Sequence, residues 1–271
     1  MFNIKLSDIP PVVKNLIFIN LIMLLATWVL ANTFGIQLNQ ILGLHYFKSD
    51  LFRPYQFVSH MFMHGGLMHL FFNMFALWMF GRVLETVWGS KRFFIYFIVT
   101  GLGAAALHTF VIHLQMVNIL NDINAFSNTP TPEAFALLVK DHFPEYYSQV
   151  YSKLLDGWYS NPESTNYIVI AKQYINELMD IKMNIPTVGA SGAVFGVLLA
   201  FGMLFPNTQL MLLFPPIPIK AKYFVIFYGG LELWLGLTQP GSNIAHFAHL
   251  GGMLFGFILI KMWKGGRSNF Y

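Results

Sequence analysis

Gly189-Ala190-Ser191-Gly192-Ala193-Val194-Phe195-Gly196 sets one hydroxyl among small residues at the head of an apolar run. Read as a membrane helix, Gly192 and Gly196 form a small-xxx-small ridge that lets a second helix approach closely. Ser191 stands one residue before that ridge. A matching ridge lies near the C-terminus, where His249 is followed by Gly252 and Gly256. Positions three, four and seven apart stack on one side of a helix, so His249 shares a face with both glycines. If the two ridges meet, Ser191 and His249 face each other as a nucleophile faces its general base.

The surrounding composition is that of a membrane protein. Hydrophobic residues make up 56% of the 271 positions and charged residues only 10%, against about 25% charged in soluble domains. The lipid bilayer is therefore the first expected partner. The chain has no cysteine, which excludes disulfides, thiolate catalysis and cysteine-based zinc sites. Its basic residues are scattered between apolar runs and form no patch, which excludes nucleic acid as a partner.

Six spans are expected, near Asn15–Phe34, Phe57–Phe80, Phe93–Gln115, Pro186–Phe205, Tyr223–Leu237 and Asn243–Met262. The first lacks a small-residue cleavage site and reads as a retained span. Outside residues 116–186 there are twelve bases. When six spans are threaded, Lys5, Lys14, Arg82, Lys91, Arg92, Lys220, Lys222, Lys261, Lys264 and Arg267 fall on the side of the N-terminus, and only Lys48 and Arg53 fall opposite. Both termini are then cytoplasmic. Residues 1–115 hold spans one to three with a long first loop, 116–185 form a polar segment, and 186–271 hold spans four to six and a tail. The two apolar parts make one bundle. The polar segment carries eight acids against four bases. Thr131-Pro132-Glu133 and Ser160-Asn161-Pro162-Glu163 read as helix starts. Phe135, Leu138, Phe143, Tyr147, Val150 and Leu154 recur at helical spacing, so the segment is expected to be an extracytoplasmic helical insert.

Span two carries His60, His64, His69 and Asn73, interrupted by Gly65-Gly66. In a continuous helix, residues nine apart lie on opposite faces, so His60 and His69 do not read as joint metal ligands. No metal site is expected. His69 and Asn73 share a face, and two neutral donors suit a developing oxyanion in a dry site; plain interhelical hydrogen bonding is the alternative. His60, His64 and His246 offer a polar path for water from the outer surface. Glu85, with Arg82, Lys91 and Arg92 as neighbours, reads as a structural tether between loop and helix end. Glu232, an acid within an apolar span, is read equally as a functional group or as a hydrogen-bonded packing carboxylate. Nothing in the spacing forces a carboxylate beside His249, which leaves a Ser-His dyad. His249, not His246, is taken as the base, because the positions stacked after His246 are the bulky His249 and Leu250. Span five, with Gly229-Gly230, and the turn Thr238–Asn243, with Pro240-Gly241, read as a gate.

Gly189-x-Ser191-Gly192, Ala248-His249-x-x-Gly252-x-x-x-Gly256 and His69-x-x-x-Asn73 together resemble the rhomboid intramembrane serine proteases. The resemblance covers the chain outside residues 116–186. It implies a six-transmembrane-helix rhomboid-like bundle, all-α, with the insert between spans three and four. It also implies Ser191 as nucleophile, His249 as base, and His69, Asn73 and the Ser191 backbone N–H as oxyanion donors. The implied reaction needs no cofactor and cleaves single-span membrane proteins near their extracytoplasmic ends. The expected location is the bacterial inner membrane. Three departures stand out: Tyr55-Gln56 where many bacterial members carry Trp-Arg, Phe195 where the aromatic is often tyrosine, and the insert itself. The rival readings are an inactive rhomboid-like protein that binds membrane clients and a histidine-lined transporter. The first commonly lacks the serine or the histidine; the second would more naturally show repeated halves or acids in several spans.

Overall fold

A computed structural model describes residues 9–211, 216–239 and 244–265, with side chains as far as 263. Lys5, Arg267 and the turn residues 240–243 lie outside it. The chain is mostly helical. Helix α1 spans Pro11–Phe34, α2 Leu67–Trp88, α3 Ser90–Asn128, α4 Pro132–His142, α5 Thr165–Met183, α6 Ser191–Leu204, α7 Ala221–Thr238 and α8 His246–Gly265. Among the described residues, α1, α2, α3 and the His246–Trp263 part of α8 are long and apolar enough to cross a membrane, so the chain is a multi-pass membrane protein. Helix α6 is apolar but only 14 residues long. Helix α7 carries Lys222 and Glu232. The proline-containing loop between α6 and α7 is not wholly irregular: Gln209–Met211 (β1) pairs antiparallel with Pro218–Lys220 (β2).

The ends of α1 show how local chemistry fixes an element. Pro11 suits the first helical position, where its missing N–H costs nothing. Gly35 closes the helix in the left-handed conformation with φ 68°. No side chain at Pro10 caps the start. Glu85 does so from α2: its carboxylate accepts from the Val12 and Val13 amides at 2.9 and 2.8 Å and from the Ser90 hydroxyl at 2.7 Å. The tether therefore runs from the end of α2 to the start of α1 and to Ser90 at the start of α3. Glu85 is held by first-turn amides, which lack intrahelical partners and favour a negative charge.

Three expected spans start or stop elsewhere; the fourth begins at Ser191 and not at Pro186. Residues 57–66 are not part of the second long helix: Gln56–Ser59 and His60–Phe62 are short turns, and α2 begins only after Gly65-Gly66. Glycines without side chains break the run there, leaving His60 and His64 in the approach to α2. Helix α3 does not stop at Gln115 but runs 39 residues to Asn128. Its outer part supplies Met116, Ile119 and Phe126 to a second apolar core with Phe135, Val139, Leu154, Trp158 and Ile175. The insert is thus continuous with the third span. At its first predicted helix start, the Thr131 hydroxyl accepts from the Ala134 amide at 3.2 Å. The second lies a few residues further on, with α5 beginning at Thr165.

Helix α6 stands at the centre of the bundle, packed on α2, α3, α7 and α8. The glycine ridges meet. A Cβ on Gly252 would overlap the Gly192 carbonyl oxygen, and one on Gly256 would overlap the Tyr96 hydroxyl and come within 3.4 Å of the Gly196 Cα. On its other side α6 meets the small residues of α3: a Cβ on Gly192 would overlap Ala104, and one on Gly196 would stand 2.7 Å from Thr100. The long first loop is drawn together around Gln56, which is buried. It accepts from the His45 and Arg53 amides at 3.3 and 3.1 Å and donates to the Ile41 and Leu51 carbonyls at 3.1 and 3.0 Å. This side chain organises the loop from within at the position where many bacterial members carry the Trp-Arg pair.

Candidate active site

The approach to α6 is an extended strand held from both sides. Leu44 and Thr187 exchange backbone hydrogen bonds at 2.9 and 2.8 Å, and the Gly189 amide donates to the His60 carbonyl at 2.9 Å. Gly189 has φ +128°, a conformation that side chains rarely adopt, and a Cβ there would stand 2.9 Å from the His69 ring. Glycine at 189 therefore both turns the chain and seats His69 beside the start of α6. The next helical turn opens with Ser191.

His249 sits in the first turn of α8. Its Nε2 lies 2.9 Å from the Ser191 Oγ. Its ring stacks on Phe195 at 4.1 Å with an interplanar angle of 3°, and Phe195 in turn packs on Tyr228 of α7 at 5.1 Å. Because both helices begin at this level and touch through glycine, the hydroxyl and the imidazole are set by the backbones themselves. Ser191 also occupies a helix N-terminus, where amides without intrahelical partners and the positive end of the dipole favour negative charge.

The other side of His249 corrects the expected dyad. Its Nδ1 lies 2.9 Å from Glu232 Oε2, and His246 Nδ1 lies 2.6 Å from the same oxygen. Glu232, His246 and His249 are 4%, 4% and 8% exposed, so a carboxylate sits beside the imidazole in the apolar interior. Sequence spacing did not show this, since Glu232 lies on another helix. The only signal was an acid in an apolar run. His246 faces this carboxylate and not a water path; its Nε2 has no partner among the described residues. The three side chains offer one ligand atom each within 4.8 Å, the one grouping of that kind among the described residues, yet a single oxygen already joins both imidazoles.

The remaining predicted residues lie on the other side of Ser191. Asn73 is buried, and its amide donates to the His69 carbonyl at 3.0 Å. Neither His69 nor Asn73 hydrogen-bonds Ser191 in this resting arrangement, among the bonds described. His60 is buried with Nδ1 2.8 Å from the Gln56 carbonyl. His64 is buried edge-on to His69, ring centroids 5.0 Å apart, and neither of its nitrogens has a partner among the described residues. A cavity of about 10 Å³, lined by His60, Thr187, Ser191 and Ala248 among others, abuts the serine; that is room for about one water. His108 and His113 tie α3 to the loops: His108 Nε2 lies 2.9 Å from the Thr187 hydroxyl and His113 Nδ1 2.9 Å from the Tyr46 hydroxyl.

Comparison with known proteins places this geometry in a family. Residues 51–120 and 164–264 match the Rhomboid domain, and the unmatched stretch between them falls inside the insert. Over 237 residues the chain is 29% identical to an uncharacterized mitochondrial rhomboid protein of Schizosaccharomyces pombe, covering 83% of this chain and 56% of that one. It is 24% identical over 197 residues to the mitochondrial Rhomboid protein 1 of Saccharomyces cerevisiae, covering 72% and 38%. It is 25% identical over 232 residues to the mitochondrial RHOMBOID-like protein 12 of Arabidopsis thaliana, covering 86% and 52%. The chain thus spans about half the length of these curated relatives, or less. They are mitochondrial proteins of two yeasts and a plant, so the expected bacterial inner membrane finds no support in them. The matched domain takes in more than half of the chain, including the helices that carry Ser191 and His249: the chain belongs to the rhomboid family.

Proposed function

We propose that this chain is an intramembrane serine protease that cleaves single-span membrane proteins near the extracytoplasmic face. The observation that carries the reading is the 2.9 Å approach of Ser191 Oγ to His249 Nε2, at the starts of two helices locked together at glycines. Ser191 attacks the scissile carbonyl while His249 takes its proton, and the proton then passes to the leaving amine as the C–N bond breaks. The Ser191 backbone N–H, left without an intrahelical acceptor, receives the oxyanion. His69 and Asn73 add side-chain donors once substrate displaces their resting contacts. Water entering past His60 and His64 completes hydrolysis of the acyl-enzyme.

The bundle is proposed to thread the membrane six times, with both termini on the cytoplasmic side and the insert outside. At 14 residues, α6 is about 21 Å long against about 30 Å of hydrocarbon. With its C-terminal end at the cytoplasmic edge, Ser191 lies roughly 9 Å below the outer surface. A substrate helix must unwind to present a bond there. A fluorophosphonate is expected to label the purified protein at Ser191. Ser191→Ala and His249→Ala are each expected to lower cleavage of a single-span reporter by at least about 1000-fold with unchanged thermal stability. Turnover by the serine variant above trace level sinks this reading, and an unlabelled, inert wild type favours a client-binding rhomboid-like protein.

A further inference from the structure

We propose that Glu232 is a positioning residue for His249, so that α7 belongs to the catalytic apparatus and the base is competent only while α7 lies against α8. The inference rests on the protease reading above. Two restraints hold the imidazole. The Phe195 face fixes its plane, stacked at 4.1 Å and 3°. Glu232 fixes its rotation within that plane, with Oε2 2.9 Å from Nδ1. A carboxylate at Nδ1 keeps the proton on that nitrogen and leaves Nε2 as an acceptor facing the serine hydroxyl, which is the tautomer a general base requires.

The carboxylate is itself held in place. At 4% exposed within the bundle, it would be costly to leave uncompensated, and its oxygen is met by two imidazole nitrogens at 2.6 and 2.9 Å. His246 is one turn ahead of His249 on α8, so it aims Glu232 without approaching Ser191. When Ser191 Oγ bonds to the scissile carbon, its proton moves to His249 Nε2. The resulting imidazolium keeps its Nδ1 proton and lies beside the carboxylate. No proton passes to Glu232; the leaving amine takes the Nε2 proton when the C–N bond breaks.

The link also depends on α7 as a whole. That helix turns Ile226, Phe227, Trp234 and Leu237 outward, each more than half exposed, and packs on α6 and α8 along its other side. Glu232 is its polar tie to α8 among the hydrogen bonds described. Any displacement of α7 that opens a path for substrate also draws the carboxylate from His249, so admission and chemistry are separate states of one helix.

The test uses the full chain in detergent or nanodiscs, with Ser191 labelling by a small fluorophosphonate and cleavage of a single-span reporter measured side by side. In Glu232→Gln the amide can donate to Nδ1 and place the proton on Nε2, the wrong tautomer. Labelling and kcat are expected to fall between about 100- and 10 000-fold, with KM within about twofold and melting temperature little changed. Glu232→Asp is expected to recover part of that loss. Val225→Ala, on the same helix and buried away from the dyad, supplies the structural control: it should lower thermal stability while labelling stays at the wild-type rate. Labelled wild type with Glu232→Gln labelled equally fast overturns the proposal and leaves the protease reading standing. So does a Val225→Ala variant that loses labelling in proportion to stability as Glu232→Gln does. If Glu232→Gln fails to fold, Glu232→Ala decides in the same assay, and wild-type labelling by it overturns the proposal. Wild-type protein that takes no label at Ser191 fails the protease reading itself.

Discussion

Helix α8 meets its two neighbours by different means. Against α6 it is flush, glycine on glycine, with no space for a methyl group between Gly252 and the Gly192 carbonyl. Against α7 the packing is looser, with a Cβ on Gly236 standing 3.2 Å from His246 and Phe247, and the tie is chemical: one carboxylate oxygen takes both histidines of the first turn. On α7 itself Gly230 faces open space. A glycine seam fixes distance and admits no intermediate position, whereas a hydrogen-bonded tie can be broken and remade. The nucleophile sits on the fixed side and the support of the base on the releasable side.

The sharpest way to break this comparison is Gly252→Ala. A Cβ at this position overlaps backbone, not a flexible side-chain end, so α6 and α8 must separate. Overpacking on this scale costs about 1–3 kcal/mol or more, and the Ser191 to His249 hydrogen bond goes with it. Expected outcomes are a lowered melting temperature and loss of labelling by at least about 100-fold. A folded variant with wild-type labelling would show that the seam is not what sets the pair.

A smaller effect tests the other interface. His246→Ala removes one of two donors on Glu232 but leaves His249 in contact with both the carboxylate and Ser191. It is expected to lower kcat by about 10-fold or less, well short of His249→Ala, in a cleavage assay with both variants folded. Loss as complete as that of His249→Ala would overturn the division of roles between the two histidines. Gly230→Ala should do least. With nothing near its Cβ and α7 helical there, it removes backbone freedom from the unfolded chain and is expected to stabilise by about 0.5–1 kcal/mol, with labelling unchanged, as read by thermal unfolding. A destabilised variant would mean that this face of α7 is occupied after all.

How far the sequence reached depended on whether the signal lay within one helix. The glycine ridges, the Ser191 and His249 heads of two helices and the His69-Asn73 spacing are all periodicities of single segments, and they were legible. The break before α2 was masked because Phe57–Phe62 is as apolar as the helix that follows, although Gly65-Gly66 marked the spot. The overrun of α3 was masked by polarity. Gln115–Asn128 looks like the start of a loop, but no proline or glycine ends the helix until Thr129-Pro130, and polar residues continue a helix readily. Glu232 beside His249 was not legible at all, since no local pattern records which residue of one helix touches which residue of the next. The same holds for Gln56, whose four loop contacts reach as far as fifteen residues back.

A single uninterrupted rod joins the insert to the layer behind Ser191. Helix α3 measures about 58 Å over its 39 residues, and its contact with Gly192 lies at Ala104. From there the outer end at Asn128 is a lever arm of about 36 Å, while Thr100, beside Gly196, is only about 6 Å the other way. A tilt of about 5° about Ala104 therefore carries the insert end through roughly 3 Å and Thr100 through only about 0.5 Å. In geometry the arm is a reduction gear: for any tilt about Ala104 the displacement beside the serine is about one sixth of that at the insert end.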